Sequence, residues 1–241
     1  MQAGIATPLT PPTMTTNDAT LLRLLTWLSP AYPIGAYSYS HGLEAAVEAG
    51  LVAHRDDLVG YVAQALAHGA GVVDGAVLAA CHRAAASGDA AALDTAAELA
   101  HAFRGTAETA LESAAQGAAF AAVTAVAWPD PRFAAFVARH SRRLAHAAAF
   151  GAACGYQGVA LRSALLGHLA AFAANLVSAG VRLVPLGQTD GQRATAALGP
   201  CVVAAAAAAE GAALDEIGTA SPMLDLLSIR HETQYTRLFR S

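Results

Sequence analysis

The sequence predicts an all-α fold, a single-domain helical bundle of about ten helices. Hydrophobic residues make up 55% of the 241-residue chain but aromatics only 6%, so the apolar mass is mostly alanine, the strongest helix former, with leucine and valine. No period-two alternation rises above that alanine background, and no internal repeat of fixed spacing is evident. No linker-like stretch divides the chain, and its length suffices to bury one sizeable core.

The elements follow from punctuation. Residues 1–19 lack the basic start and apolar centre of a secretory signal and read as a disordered leader. Asn17 or Asp18 can cap a first helix carrying Leu21, Leu22, Leu24, Leu25 and Leu28, which Ser29-Pro30 ends. The Pro33/Gly35 loop delivers the chain to a short helix at about 41–49. Helical patterns follow at about 55–68, 72–86, 89–103, 105–127, 131–150, 156–180, 190–209 and 212–229, with Gly or Pro at most joints. A helical domain over 20–229 and a C-terminal tail over 230–241 result.

Charge and cysteine usage exclude several classes. All 14 basic residues are arginine, without a basic run, and net charge is −4, so the footprint of a nucleic-acid binder is missing. Cys81, Cys154 and Cys201 are odd in number, far apart and set in apolar helical patterns, which suits buried thiols in a reducing, cytoplasmic setting. The longest apolar runs, 118–128 and 201–209, are too short to cross a bilayer, so no membrane association is expected.

Candidate chemistry is sparse. His41, Glu44 and Glu48 fall at i, i+3 and i+7, one helical face, which raises a metal or acid-base reading. An isolated His-x-x-Glu lacks the convergent ligands a catalytic metal needs, and a polar face or partner surface explains it better. Arg104, Glu108, Glu112 and Gln116 form a second i, i+4 stripe, read as an intrahelical ion-pair ladder or an interface face, with a buried carboxylate dyad as the lesser alternative. His231-Glu232 begins like a zinc-protease helix, but the residue four after His231 is Tyr235, not a second histidine. Gly69-Ala70-Gly71 through Gly75 has the wrong spacing for a dinucleotide loop, and neither a phosphate-binding P-loop nor a nucleophile elbow occurs.

The end of the chain is the most distinctive stretch. Arg230 to Arg240 concentrates three arginines beside Tyr235 and Phe239, residue types that anchor protein interfaces. Little within the segment itself offers a core, so residues from about 231 onward are expected to be mobile until a partner orders them. Near the other end, Tyr37, Ser38, Tyr39 and Ser40 place two tyrosines and two hydroxyls just before the His41 helix, where Ser40 can act as a cap. Gln188 and Gln192 present uncharged donors and acceptors on a Pro/Gly turn.

Ser228 to Ser241, SIRHETQYTRLFRS, resembles the C-terminal signature of the urease accessory protein F family. Leu28 to Glu44, LSPAYPIGAYSYSHGLE, resembles its N-terminal signature, and Pro185 to Gln192, PLGQTDGQ, its P-L-G-Q-x-x-G-Q turn. Glu108, Glu112 and Gln116 are similar to its E-x3-E-x3-Q segment, with Gly117 directly after Gln116 where the family usually interposes a residue. The resemblance spans roughly residues 20–241. It implies a dimeric, all-helical, non-enzymatic scaffold without a cofactor. Such a scaffold bridges a GTPase nickel chaperone (UreG-type) and an accessory protein of the UreD/UreH type for nickel insertion into apo-urease. It also implies partner contacts at Tyr37, Ser38, Tyr39, His41, Glu44, Glu108, Glu112, Gln116, Gln188 and Gln192. In the tail the implied contacts are Arg230, His231, Glu232, Tyr235, Arg237, Leu238, Phe239 and Arg240. The alternative is an α-helical metal-dependent enzyme using His41 and Glu44. A homodimer is expected to bury the Ala114–Ala127 face with Phe120.

Overall fold

The computed structural model describes residues 16–241, and the side chains of Thr16 and Arg142 lie outside the description. Among the described residues the chain is all helical, without strands, in eleven α-helices. These are α1 (Thr16–Trp27), α2 (Leu43–Glu48), α3 (Arg55–His68), α4 (Ala70–Ser87), α5 (Ala90–Ala102) and α6 (Ala107–Ala127). There follow α7 (Pro131–His140), α8 (His146–Tyr156), α9 (Leu161–Leu183), α10 (Gln188–Gly211) and α11 (Pro222–Glu232). Single 3₁₀ turns occupy Ala36–Ser38 and Ser141–Arg143.

Most of the expected helices are present, and the boundaries carry their chemistry. Asp89 and Asp130 cap α5 and α7 with side-chain oxygens, and Thr106 caps α6 in a reciprocal box with Thr109. The layers form around α4 and α8, the most extensively packed pair, with α5, α6, α9 and α10 around them. Helix α8 is alanine along nearly every face, and Ala147, Ala148, Ala149, Ala152 and Ala153 are all buried, which lets it sit at the centre with helices on several sides. Against it lies an aromatic cluster in which Trp27 meets Phe120, Trp128 and Phe150 edge-on at centroid distances of 5.8, 5.7 and 6.2 Å.

Several expectations need correction. The pattern expected as one helix over 131–150 is two helices, α7 and α8, turned at 141–145. The cause is a crossing: the backbone at Leu144 and Ala145 lies on Gly117 of α6, where an added Cβ would sit 1.9 Å from the Leu144 carbonyl oxygen. Helix α11 begins at Pro222 rather than at 212, because proline is favoured in a first helical turn and disruptive further in. Residues 1–15 of the expected leader lie outside the described residues, while Thr16–Ala19 already form the first turn of α1. Phe120 is no part of an uncovered face, since its own chain buries it completely; on α6 the large apolar side chains left out are Leu111 and Val126, 50% and 83% exposed.

The tail packs against the bundle, although its own segment offers little core. Phe239 and Ser241 are buried and His231 is wholly enclosed, because the core they lack locally is supplied by residues almost two hundred positions earlier. By length and composition α6, α9 and α10 also qualify as membrane spans, at 21, 23 and 24 residues. Counting uninterrupted apolar runs missed this, because isolated Glu, Gln, Arg and Thr interrupt the runs without lowering mean hydropathy enough.

The Gly117 crossing generates a prediction. Gly117→Ala places a methyl group into main-chain atoms that cannot rotate away, so the loss should reach about 3 kcal/mol, the upper end of overpacking costs. Urea unfolding measures it, and a loss within about 0.5 kcal/mol, the range of a neutral surface change, would show that the crossing yields freely.

Candidate functional site

A cluster of buried carboxylates forms where α2, α6, α11 and the tail meet. Glu44 opens α2, and Glu108, Glu112 and Gln116 line one face of α6, all four buried. His231 of α11 stands between the first two carboxylates. Its Nε2 lies 3.0 Å from Glu44 Oε2, and its Nδ1 lies 2.9 Å from Glu108 Oε2. Glu44 also accepts the backbone N–H groups of Leu238 and Phe239, at 2.7 and 2.9 Å, and Arg237 donates to Glu108 at 3.2 Å. One helical turn along α6, Glu112 accepts from Gln116 at 3.0 Å and from the Ser241 hydroxyl at 3.0 Å, and faces His41 Nδ1 at 3.2 Å. Every carboxylate here has several polar partners, as burial of charge demands.

Local sequence explains the approach. His41 and Gly42 adopt consecutive left-handed conformations, φ 58° and 77°, which turn the chain sharply into α2. At Gly42 a Cβ would come within 2.9 Å of the Ser228 backbone nitrogen, so glycine is needed twice over, for its φ and for the approach of α11. Thr106, the α6 cap, exchanges a hydrogen bond with the Ser228 hydroxyl at 2.8 Å, pinning α11 to the start of α6. Ser40 donates its hydroxyl to the Ser241 carbonyl oxygen at 2.6 Å; its contact to the Glu44 N–H is long, 3.4 Å, so its main role is to hold the tail rather than to cap α2.

Behind this cluster lies a cavity of about 420 Å³. The loop from Leu28 to Tyr37 and Phe172 of α9 form its apolar wall, and His41, Asp74, Arg104, Glu112, His146 and His168 form its polar floor. Arg104 donates to Asp74 at 2.6 Å. Burial pushes the Asp74 carboxyl up, but Arg104 and the nearby histidines outweigh it and the net shift is downward. Burial also pushes His41 down, yet the adjacent Glu112 carboxylate and its hydrogen bond win, and the ring's pKa is raised. His146 goes the other way, down to about 3, through burial and then His168; its Nε2 is buried without a partner. Burial lowers His168 too.

This arrangement can hold a chain segment and bury charge; it does not converge on a metal. Among the described residues no three His, Cys, Asp or Glu side chains are placed to hold a metal ion. The UreF family model matches residues 52–199. "Urease accessory protein UreF" of Granulibacter bethesdensis (strain ATCC BAA-1260 / CGDNIH1) is 63% identical over 230 residues, covering 95% of this chain and 98% of that one. The chain belongs to the UreF family of urease accessory proteins. Proteins of the same name from Rhodopseudomonas palustris (strain BisB5) and Methylobacterium sp. (strain 4-46) are 51% and 48% identical. These alignments cover 93% and 91% of this chain and 93% and 88% of the relatives.

The structure of this UreF family member unites most of the residues singled out in the sequence and separates a few. Glu44, Glu108, Glu112, Gln116, His41, His231 and Arg237 form the cluster, and Ser38 accepts the Arg240 N–H at 2.8 Å. Tyr39 is buried beneath Arg240, whose guanidinium lies 5.9 Å from the ring, and Tyr37 is exposed. Arg230, Glu232, Tyr235, Leu238 and Arg240 face outward, whereas Phe239 packs inward under Arg182 at 4.3 Å. Gln188 and Gln192 stand exposed on the first turn of α10, and no described hydrogen bond ties them to the cluster.

Two readings of spacing fail. His41 precedes α2, so His41, Glu44 and Glu48 share no helical face; Glu44 is buried and Glu48 exposed. Arg104 precedes α6 and pairs with Asp74, so no ladder with Glu108 exists, and the Glu108/Glu112/Gln116 stripe is buried instead. Thr106, Ser228, Asp74, Arg182, His146 and His168 were not singled out. Only Thr106 had a local signal, a threonine three residues before Thr109 at a helix start.

Two outcomes follow from the geometry. Glu44→Ala leaves the His231 ring and two tail N–H groups without their acceptor and should cost about 3–5 kcal/mol, the range for breaking a buried pair, as read from urea unfolding. The His41–Glu112 pair has a signed pH dependence. Because the folded pKa of His41 is raised, its contribution is complete below about pH 6.5 and is lost as pH rises through the folded value. The stability advantage of the wild type over His41→Gln should therefore be greatest in mild acid, about 2 kcal/mol, and should shrink with rising pH. An advantage that grows with pH would reverse the assignment.

Proposed function

We propose that this protein is a non-enzymatic scaffold and regulator of urease maturation. In this reading it bridges a GTP-hydrolysing nickel chaperone of the UreG type and an accessory protein of the UreD/UreH type, and so supports nickel insertion into apo-urease. Membership of the UreF family supports the maturation role, and the named partners extend it. The observation that carries the reading is the folded chain end. Buried carboxylates hold its backbone, while fully exposed Tyr235 and exposed Leu238 and Arg240 point outward. Aromatic and aliphatic side chains carried on a backbone that is already held leave less entropy to lose on binding, which favours a docking surface.

The enzyme reading has no comparable support. Glu44, Glu108 and Glu112 are occupied by structural donors, so none is free to move a proton on a substrate or to ligate a metal. Coupling to GTP hydrolysis requires that the scaffold bind one nucleotide state of its partner more tightly than another. A homodimer in the cytoplasm is part of the proposal, with exposed Leu21, Leu22 and Leu25 of α1 and Val126 of α6 as apolar surface for pairing.

The test is co-purification with UreG-type and UreD/UreH-type partners, with and without GTP, for the wild type and a Tyr235→Ala/Leu238→Ala variant. Both side chains are exposed, so unfolding stability should change by less than about 0.5 kcal/mol. Affinity for the UreD/UreH-type partner should fall about 30-fold or more, the scale of a lost hot spot. Undiminished binding by the variant would remove the chain end from the interface.

A further inference from the structure

The cavity behind the carboxylate cluster has room for a small molecule and carries two polar atoms that the chain does not satisfy. Its volume, about 420 Å³, falls within the range of ligand pockets. Trp27, 1% exposed, lines it beside the Leu28–Tyr37 loop, and the indole Nε1 is buried without a hydrogen-bond partner. His146 lines it as well, and its Nε2 is the second such atom. Both rings pack on Phe120 and Phe150, at centroid distances of 5.8 and 6.2 Å for Trp27 and 5.5 and 6.1 Å for His146, so they belong to one aromatic cluster. A buried donor left unmet costs its desolvation, and folded proteins keep few of them.

The charges around the cavity decide what can enter. They are already matched in pairs, Asp74 with Arg104 at 2.6 Å and Glu112 with His41 at 3.2 Å. His146 and His168, the other two histidines of the polar floor, are both held below the usual histidine range, so both rings are neutral at pH 7. An anionic guest would find no uncommitted cation there, and a cationic guest no uncommitted carboxylate. Either would carry an unpaired charge into a buried site, so the fitting guest is neutral.

The two unmet atoms narrow its chemistry. An indole N–H only donates, so the guest must bring an acceptor. A neutral imidazole nitrogen donates or accepts according to its tautomer, and a carboxamide, with N–H and C=O side by side, answers either form. Ile34 and Phe172 on the apolar wall suit a flat ring attached to that group.

We propose that this cavity binds a small, neutral, planar carboxamide, with its polar group at Trp27 Nε1 and His146 Nε2 and its apolar ring against Ile34 and Phe172. A bound guest ties the Leu28–Tyr37 loop to α1, α8 and α9. Pro30, Pro33 and Tyr37 of that loop are exposed, which places the rim of the cavity at the surface. Neither the chain end nor a partner protein enters this inference, so its failure leaves the scaffold reading untouched.

The experiment titrates the full-length protein at pH 7 with three molecules of one shape and different charge: benzamide, benzoate and benzamidinium. The chain has two tryptophans, so a nitrogen-15 spectrum shows two indole N–H signals, and a Trp128→Phe variant assigns them. Benzamide should shift the Trp27 signal saturably, with a Kd of about 1 mM or tighter, an ordinary efficiency for about nine non-hydrogen atoms. Benzoate and benzamidinium should each bind at least about tenfold more weakly, because each brings an unpaired charge.

Trp27→Phe supplies the second arm, since it keeps an aromatic ring and removes the donor. Ligand-observed saturation transfer should give it a benzamide Kd about fivefold weaker, the scale of one hydrogen bond. No saturable shift with benzamide, equal binding by either charged molecule, or an unchanged Kd in the variant would each overturn the proposal. If the variant fails to fold by circular dichroism, the charge series on the wild type alone decides.

Discussion

The burial of Glu44, Glu108 and Glu112 is the constraint on which the arrangement of this protein depends. Only 13% of the residues are charged, and three of the carboxylates are buried. An unpaired carboxylate at such a site costs several kcal/mol, so each must collect donors, and the chain supplies them from distant segments. His231, Arg237 and the Leu238 and Phe239 N–H groups come from the far end, Gln116 from the next turn of α6, and His41 from the loop before α2. The position of the tail is a consequence of satisfying these acceptors. The fold around them is built from alanine helices that approach closely enough for short side chains to meet.

That arrangement divides the chain end into two roles by direction. Backbone N–H groups, His231, the Arg237 head, Phe239 and Ser241 turn inward, whereas Tyr235 and Leu238 turn outward and Arg230 is exposed. A segment of this composition free in solution would lose conformational entropy on binding. Held by the carboxylates, it presents the same groups in a fixed arrangement. Exposed Tyr37 belongs to the same surface, because Arg182 donates to the Tyr37 carbonyl oxygen at 2.9 Å and stacks over Phe239.

The all-α class and nearly every helix were legible in the sequence, because alanine content, capping residues and Gly/Pro joints are local signals. Helix α3 was read to the residue, and the error at 131–150 arose because nothing local marks Leu144 as crossing Gly117. The site was legible as a set of residues but not as an arrangement. The i, i+4 spacing of Glu108, Glu112 and Gln116 identifies one face of α6, yet spacing does not say whether that face meets water or a histidine 123 residues away. The packing of the tail is illegible for the same reason: its hydrogen-bond acceptors lie at the other end of the chain. His146 and His168 gave no signal, since a histidine within an alanine helix looks the same whether it lines a cavity or the surface.

Sequence separation also says something about when the site exists. Glu44 and His231 are 187 residues apart, and Ser40 and Ser241 are 201 apart. Contacts of that span carry a large loop-closure cost and form only after the intervening helices have packed and shortened the effective loop. The outward-facing set at the chain end is therefore assembled after α4, α6, α8 and α9 are in place, and the first local opening of the protein is expected to undo it. Its anchoring contacts, a few buried polar bonds at the edge of the bundle, are fewer than those holding α4 against α8. A surface built from the two ends of the chain thus reports the completeness of the fold between them. Under the function proposed above, a partner that recognised the ordered end would select finished molecules without contacting their core.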